Sequence, residues 1–249
     1  MSSTFSATDI DGTLVGCPKG LAAFATFRDE RPELLYGVAT GRSLHAALDI
    51  LETEGAPLPA VMIVAVGSEV YWRDECGIRY RQDEAWARHI GIGWQRKAVD
   101  ALVMRQPGFV RQPALEQRRH KLAYFVDPAE GEAHVALLRE TLRDAGLRCS
   151  VIHSHGKFVD VLPERANKGR AVEFVARTAG ISLSDVVAAG DSGNDIDMLR
   201  AIGNAVIVAN HRDGITDRHD LRHAYVARNA CAGGIVEGLK HFERAMAHG

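Results

Sequence analysis

Two carboxylates stand two residues apart near the start of the chain, in Thr8-Asp9-Ile10-Asp11-Gly12-Thr13-Leu14-Val15. In a continuing strand, residues i and i+2 share a face, and Asp9 and Asp11 would repel each other there. If the strand ends at Asp9 and the chain bends at Gly12, both acids converge at the strand's carboxyl edge. One carboxylate can then serve as a nucleophile and the other as a general acid/base, with a divalent cation screening the two charges. The alternative is an acidic turn that caps the next helix through Asp11 or Thr13. The pair by itself does not separate the two readings.

Three further clusters bear on the choice. Thr40 sets a hydroxyl beside Gly41, where backbone N–H groups are open to a ligand, and the helix start near Ser43 favours an anion. Taken alone, an ordinary helix-entry turn is the simpler account of Thr40-Gly41-Arg42-Ser43. Lys168 opens a helix, the end at which a cation is disfavoured. A compact ammonium there can reach a bound phosphate and neutralise it, although a single lysine is more commonly a solvated surface residue. In Gly190-Asp191-Ser192-Gly193-Asn194-Asp195, two acids four residues apart flank a strand-to-helix turn. Such an oxygen-rich set suits Mg2+, which takes one or two carboxylates and keeps water or phosphate oxygens as its other ligands. A capped helix start explains one of these acids and leaves the other without a purpose.

These clusters need elements that place them together. Apolar runs predict strands over 4–9, 34–39 and 60–66, with helices at 22–27 and from Leu44 to Leu51, the latter N-capped by Ser43 and stopped by Gly55. Each strand runs into a polar cluster, the third being Gly67-Ser68-Glu69. In open parallel sheets, ligands bind outside the carboxyl ends of the strands. After Tyr71 the pattern changes. A helix over about 85–103 carrying Trp86 and Trp94, a helix over 133–142, strands over 120–126, 147–152 and 157–162, and a further strand near Phe109 predict a small α+β unit with an antiparallel sheet. From Asn167 the alternation resumes. A helix with Ala171, Val172, Val175 and Ala176 precedes strands over 186–189, 205–208 and 225–227, and a last helix aligns Ile235, Leu239, Phe242 and Met246. The expected fold is α/β: a doubly wound, mostly parallel, Rossmann-type sheet over 1–82 and 160–249, interrupted by an inserted α+β domain over 83–159.

Composition narrows the class. With 249 residues, 46% apolar, 25% charged and a net charge of −2, the chain reads as an ordinary globular protein with no call for a nucleic-acid partner. Cys17, Cys76, Cys149 and Cys231 lack CxxC spacing and read as reduced thiols of an intracellular protein. Among the eleven histidines, His153 and His155 stand close together without a third ligand. The first residues form no apolar leader, and no apolar run approaches the roughly 20 residues that span a bilayer. The expectation is a cytoplasmic protein with no membrane partner.

In chain order, Asp9-Ile10-Asp11-Gly12-Thr13, Thr40-Gly41-Arg42-Ser43, the helix-opening Lys168 and Gly190 to Asp195 resemble the four motifs of the haloacid dehalogenase-like phosphatases. The insert between the second and third motifs is similar to that family's larger type of cap, which sits over the active site. Ala65-Val66-Gly67-Ser68-Glu69-Val70-Tyr71, His155-Gly156-Lys157-Phe158-Val159-Asp160-Val161-Leu162-Pro163 and Asn167-Lys168-Gly169 resemble its sucrose-6-phosphate phosphatase branch. Gly12-Thr13-Leu14 departs from that branch, whose members often have Asn or His followed by Thr-Trp.

The resemblance implies roles. Asp9 would be the nucleophile that forms an aspartyl-phosphate, and Asp11 the acid/base. Thr40 and Lys168 would hold phosphoryl oxygens. Mg2+ would be bound by Asp9, the Asp11 backbone carbonyl and Asp191, with Asp195 supporting its water ligands. Asn194 would contact phosphate or sugar. Sugar recognition would fall to Gly67, Ser68 and Glu69 and to the cap, with Thr40, Gly41, Arg42, Ser43, Lys121, Lys157 and Asp160 as further candidates and hinges near 80–84 and 158–164. The implied reaction is hydrolysis of sucrose 6-phosphate, the last step of sucrose synthesis, by a monomer that could associate with a sugar-phosphate synthase. Mannosylfructose phosphate or another sugar phosphate is the alternative substrate. A phosphomutase or a silent sugar-phosphate-binding partner of a synthase are other readings, and the presence of both Asp9 and Asp11 counts against the silent one, since binding alone needs no acid/base.

Overall fold

A computed structural model of the chain describes residues 4–154, 156–212 and 214–246. Met1 to Ser3, part of the segment read as lacking a leader, and His155, from one of the family-like stretches, lie outside the described residues, as does the side chain of Met246. The chain divides into two compact units, Met1–Gln82 with Lys168–Gly249, and Asp83–Asn167.

The elements follow in chain order. The first segment holds β1 (Phe5–Thr8), α1 (Pro18–Asp29), β2 (Leu35–Ala39), α2 (Leu44–Thr53), β3 (Val61–Val64), β4 (Glu69–Arg73) and β5 (Tyr80–Gln82). The insert holds α3 (Glu84–Gly91), α4 (Arg96–Val103), β6 (Phe109–Arg111), β7 (Leu122–Val126), α5 (Gly131–Asp144), β8 (Cys149–Ser154) and β9 (Phe158–Pro163). The last segment holds α6 (Lys168–Thr178), β10 (Val186–Gly190), α7 (Ile196–Ala201), β11 (Asn204–Ile207), β12 (Tyr225–Val226) and α8 (Cys231–Met246).

In the first unit eight strands form one sheet in the order β12-β11-β10-β1-β2-β3-β4-β5. Pairing is parallel from β12 to β3 and antiparallel over β4 and β5. The central strands are continuous apolar runs, such as Val61-Met62-Ile63-Val64, buried along their whole length. A parallel sheet covered on both faces produces that pattern. Along β11 the faces alternate. Val206 joins α1, α2 and α8 in a cluster with Phe24, Tyr36, Leu51, Met62 and Leu239, whereas Ala205 and Ile207 meet Leu199 of α7. The expected doubly wound sheet is therefore what forms.

Register sets the location of the polar clusters. Thr8 of β1 pairs with Val38 of β2 and with Ala189 of β10. Asp9, Thr40 and Asp191 consequently leave three adjacent strands at one edge, within a residue of the same level. The Asp9 N–H still donates to the Ala189 carbonyl at 2.9 Å, and the Thr40 N–H to that of Ile63 at 2.9 Å.

The β4–β5 ribbon was not among the expected strands. Its turn is closed by Asp74, whose carboxylate accepts from the Ile78 and Arg79 N–H groups. The three-residue edge strand β5 is largely solvent-facing, so it leaves no apolar alternation to read.

The second unit packs α4 and α5 onto one face of an antiparallel sheet, β6-β7-β9-β8, through Val99, Val103, Leu138, Tyr124 and Val161. Two expectations are corrected here. The single helix over 85–103 is two helices, broken at Ile92 to Gln95 where Gly93 takes a φ of 77°. The expected boundary at 159/160 falls inside β9, which pairs with β8 from Ser154↔Phe158 to Cys149↔Pro163 and so belongs to the insert's sheet. The second unit accordingly runs on to Asn167. Among the described residues, no helix is long and apolar enough to cross a membrane.

Gly169, next to Lys168, lies against α7 so closely that a Cβ would overlap the Asp197 carbonyl. Replacing a helical glycine by alanine ordinarily gains about 1 kcal/mol. Gly169→Ala is expected to destabilise instead, by about 1–3 kcal/mol, because a backbone oxygen cannot rotate aside. A lower urea midpoint for the variant checks this.

Candidate active site

The carboxyl edge of β1, β2 and β10 gathers the buried charges Asp9, Lys168, Asp191 and Asp195. Lys168, the first residue of α6, is 1% exposed, and its Nζ donates to Asp9 Oδ1 at 2.9 Å and to Asp195 Oδ1 at 2.8 Å. Asp195 has a second task. Its Oδ2 accepts from the Asp191 and Ser192 N–H groups at 3.1 and 3.2 Å, holding the turn after β10. Gly190 makes room for this: a Cβ there would stand 2.5 Å from the Asp195 Cβ. Asp191 in turn accepts a hydrogen bond from the Thr13 hydroxyl at 3.1 Å. Gly12, at a φ of 74°, passes so near that a Cβ would meet Asp191 Oδ2 at 2.9 Å.

Asp9, Asp191 and Asp195 are all buried, and each offers an oxygen within 4.8 Å of the others. Three negative charges thus face one ammonium. Burial, then the charge of Asp195, pushes the Asp9 carboxyl well above the usual range, although Lys168 pulls it back. Asp191 is pushed up to about 6 by burial and by Asp195. Burial disfavours the Lys168 ammonium, but Asp195 and Asp9 outweigh it and the net shift is upward. Among the described residues this is the carboxylate group able to hold a metal ion, and its surplus of negative charge and all-oxygen donors fit a hard divalent cation.

Asp11 behaves differently. Its side chain is 52% exposed and is gripped by Arg42, Nε to Oδ2 at 2.8 Å and Nη2 to Oδ1 at 2.7 Å. The bend at Gly12 turns it out of the buried cluster. Thr40 is buried and its hydroxyl accepts from the Arg42 N–H at 3.2 Å. Gly41 faces Asn194, whose Nδ2 lies 3.9 Å from where a Gly41 Cβ would stand, and Ser192 Oγ holds Asn194 Oδ1 at 3.0 Å. Ser43 caps α2 as expected, accepting from the Ala46 N–H.

After β3 the chain makes a left-handed turn, with φ of 50° at Ala65, 61° at Val66 and 86° at Gly67. Each non-glycine residue so placed costs on the order of 1–2 kcal/mol. The turn is held because the Ala65 and Val66 N–H groups donate to the Arg42 and Thr40 carbonyls at 2.7 and 3.0 Å. It brings Gly67 and Ser68 beside the Thr40 loop, and the Ser68 hydroxyl donates to the Ala65 carbonyl at 2.9 Å. Glu69 begins β4 and accepts from the Tyr71 hydroxyl.

The remaining candidates belong to the second unit. Lys121 and Asp160 are buried there as a pair, Nζ to Oδ1 at 3.4 Å, with Glu116 at 3.8 Å from the same ammonium. Lys157 is exposed, with its ammonium over the Phe158 ring. Two contributors were not read as site residues in the sequence. Thr13 lay in plain view within the first motif. Asn210, whose Nδ2 donates to the Gly12 carbonyl at 2.7 Å, stands in a loop with no motif to mark it.

Lys168→Ala would strip from this group of carboxylates the buried ammonium that pairs with Asp9 and Asp195. Removing one partner of a buried ion pair typically costs about 3–5 kcal/mol. The loss, measured by urea denaturation in chelator, is expected to be largest above about pH 8 and to shrink as pH falls through about 8 and 6, where Asp9 and Asp191 take up protons.

Comparison with known proteins agrees with this geometry. Residues 3–243 match the family model described as sucrose-6F-phosphate phosphohydrolase. The structure of the sucrose-phosphatase from Synechocystis sp., in complex with sucrose and phosphate, superposes with a TM-score of 0.90 at 32% identity, covering 98% of this chain and 99% of that one. Sucrose-phosphatase 1 of Nicotiana tabacum is 28% identical over 85% of this chain and 51% of its own length. The chain thus spans about half of such plant relatives. Mannosylfructose-phosphate phosphatase of Agrobacterium fabrum is 27% identical over 95% of both chains. A match over nearly the whole chain, with the four motifs meeting at one sheet edge, shows that the chain belongs to the sucrose-6F-phosphate phosphohydrolase family of the haloacid dehalogenase-like superfamily.

Proposed function

We propose that the chain hydrolyses sucrose 6-phosphate to sucrose and inorganic phosphate through an aspartyl-phosphate on Asp9. The observation that carries this is the buried group Asp9–Lys168–Asp195–Asp191 with Asp11 beside it. Its likeness over the whole chain to a structure that holds sucrose and phosphate supports the choice of sugar.

Lys168 engages Oδ1 of Asp9, which leaves Oδ2 for in-line attack on phosphorus. The Thr40 hydroxyl, the Asn194 amide and the Lys168 ammonium are assigned to the phosphoryl oxygens, because a carboxylate approaches a phosphate dianion only where cations and hydrogen-bond donors offset the repulsion. Asp11 delivers a proton to the leaving sugar oxygen and then takes one from the water that cleaves the acyl-phosphate, a role typically worth ~10²–10⁴-fold. To do so it must let go of Arg42. Asp9, the Asp11 carbonyl and Asp191 would hold Mg2+, with Asp195 behind them, and the ion would supply charge neutralisation at the phosphoryl oxygens. Sugar selection is assigned to Gly67, Ser68 and Glu69 and to the second unit, with Lys121, Lys157 and Asp160 as its polar candidates. A cytoplasmic, monomeric enzyme goes with this reading.

Mannosylfructose phosphate is the second substrate, favoured by the relative matched over 95% of both chains. A phosphate-release panel over sucrose 6-phosphate, mannosylfructose phosphate and simple hexose phosphates separates the two by kcat/KM. Asp9→Asn is expected to abolish release, and Asp11→Asn to slow it by about 10²-fold or more. Near-normal turnover by purified Asp9→Asn protein would sink the mechanism.

The cation carries a pH signature. Asp9 and Asp191 titrate higher in the fold than in the unfolded chain. Without metal the fold therefore holds protons that the unfolded chain has already lost, and stability falls as pH rises from about 4 through the folded pKa values. Mg2+ competes with those protons. Its effect on Tm is expected to grow from about pH 5 to about pH 8, and a constant Tm increment across that range would count against metal binding by this group.

A further inference from the structure

α1 and α8 touch near their starts, where a Cβ on Gly20 would stand 2.8 Å from the Gly233 backbone nitrogen. A cysteine marks each start, Cys17 as N-cap of α1 and Cys231 as the first residue of α8. The close contact brings the two thiols near enough to interact. The Cys231 sulfur also lies 3.6 Å from where a Cβ on Gly16 would stand. Cys231 is 3% exposed and holds a left-handed φ of 49°, rare for a residue with a side chain. Cys17 is half-buried.

The pair is wired to the carboxylate group. The Cys231 N–H donates to Asn210 Oδ1 at 2.7 Å, and Asn210 Nδ2 donates to the Gly12 carbonyl at 2.7 Å. Gly12 is the residue packed against Asp191. Cys17 sits at the other end of the same loop.

We propose that Cys17 and Cys231 are a redox modification site, forming a reversible disulfide that joins the starts of α1 and α8 and lowers turnover. A hydroperoxide such as hydrogen peroxide oxidises the more accessible Cys17 to a sulfenic acid with release of one water. The Cys231 sulfur then attacks the Cys17 sulfur, and the displaced hydroxyl leaves with the Cys231 proton as a second water. Two electrons pass from the dithiol to the peroxide. Burial and the neighbouring Cys17 push the Cys231 thiol up to about 12, which makes it the slower, resolving partner. A disulfide needs its sulfurs about 2 Å apart, closer than two thiols in contact. Closure therefore pulls on Cys231, on its bond to Asn210 and so on the Gly12 carbonyl.

The test treats the full chain with hydrogen peroxide, reads the intact mass and the non-reduced peptide map, and follows hydrolysis of p-nitrophenyl phosphate. The activity arm alone rests on the phosphatase reading, whereas the mass arm does not. Expected are a loss of two hydrogens located in a Cys17–Cys231 peptide pair, also in Cys76→Ser protein, and a drop in turnover of about fivefold or more that dithiothreitol reverses. Cys17→Ser, a change at a half-buried position, is expected to keep its activity under peroxide. Absence of the Cys17–Cys231 peptide pair overturns the site. A crosslink with unchanged turnover, or equal inactivation of Cys17→Ser, overturns its coupling to the reaction.

Discussion

A single ammonium buried among three carboxylates is the interaction on which the rest of the first unit depends. Lys168 stands where a helix is least hospitable to a cation, yet it is almost wholly withdrawn from water. Taking it out of solvent is tolerable only because Asp9 and Asp195 both bind it. The requirement propagates outward. α6 must bring its first residue to Asp9 and Asp195, and Gly169 lets it lie against the Asp197 carbonyl. Asp195 must face the strand edge, and it does so while bracing the Asp191 turn with its other oxygen. Gly190 and Gly12 clear the space that these side chains occupy.

The same ammonium leaves the site short of positive charge. Burial first, and then one cation against three carboxylates, explain why Asp9 and Asp191 resist ionisation, and the charge imbalance is why the group suits a divalent ion. A phosphate dianion can settle beside a carboxylate only after that imbalance has been corrected.

Asp11 completes the site by standing outside the cluster. Two acids two residues apart end up in opposite circumstances, one buried against Lys168 and the other half exposed and clasped by Arg42. The proposed roles match these environments, since a nucleophile benefits from fixed geometry and a proton shuttle must reach both a leaving group and a water. Gly12 separates the two environments. The left-handed turn over Ala65 to Gly67 holds Thr40 and Arg42 in place from the other side, through backbone hydrogen bonds that compensate its strain.

Much of this was legible without coordinates. Fully apolar runs such as Val61 to Val64 predict a buried parallel strand, and alternation with helices predicts the doubly wound sheet, because side-chain periodicity reports directly which faces are covered. Polar clusters after β1, β2 and β10 mark the functional edge, since parallel topology brings such positions together. Other features left no local trace. The short exposed strand β5 has no pattern to read, and Trp94 keeps the helical spacing alive across a break that Gly93 makes. β9 is as apolar as a strand of the large sheet, so only its pairing with β8 assigns it to the insert. The chain's own order thus determines the fold class, the strand edge and the residue types gathered there. Tertiary structure alone decides which carboxylate is buried, which is clasped by arginine and which thiols meet. Lys168 and Asp9 are 159 positions apart, and burial and charge pairing over such separations belong to packing, not to spacing.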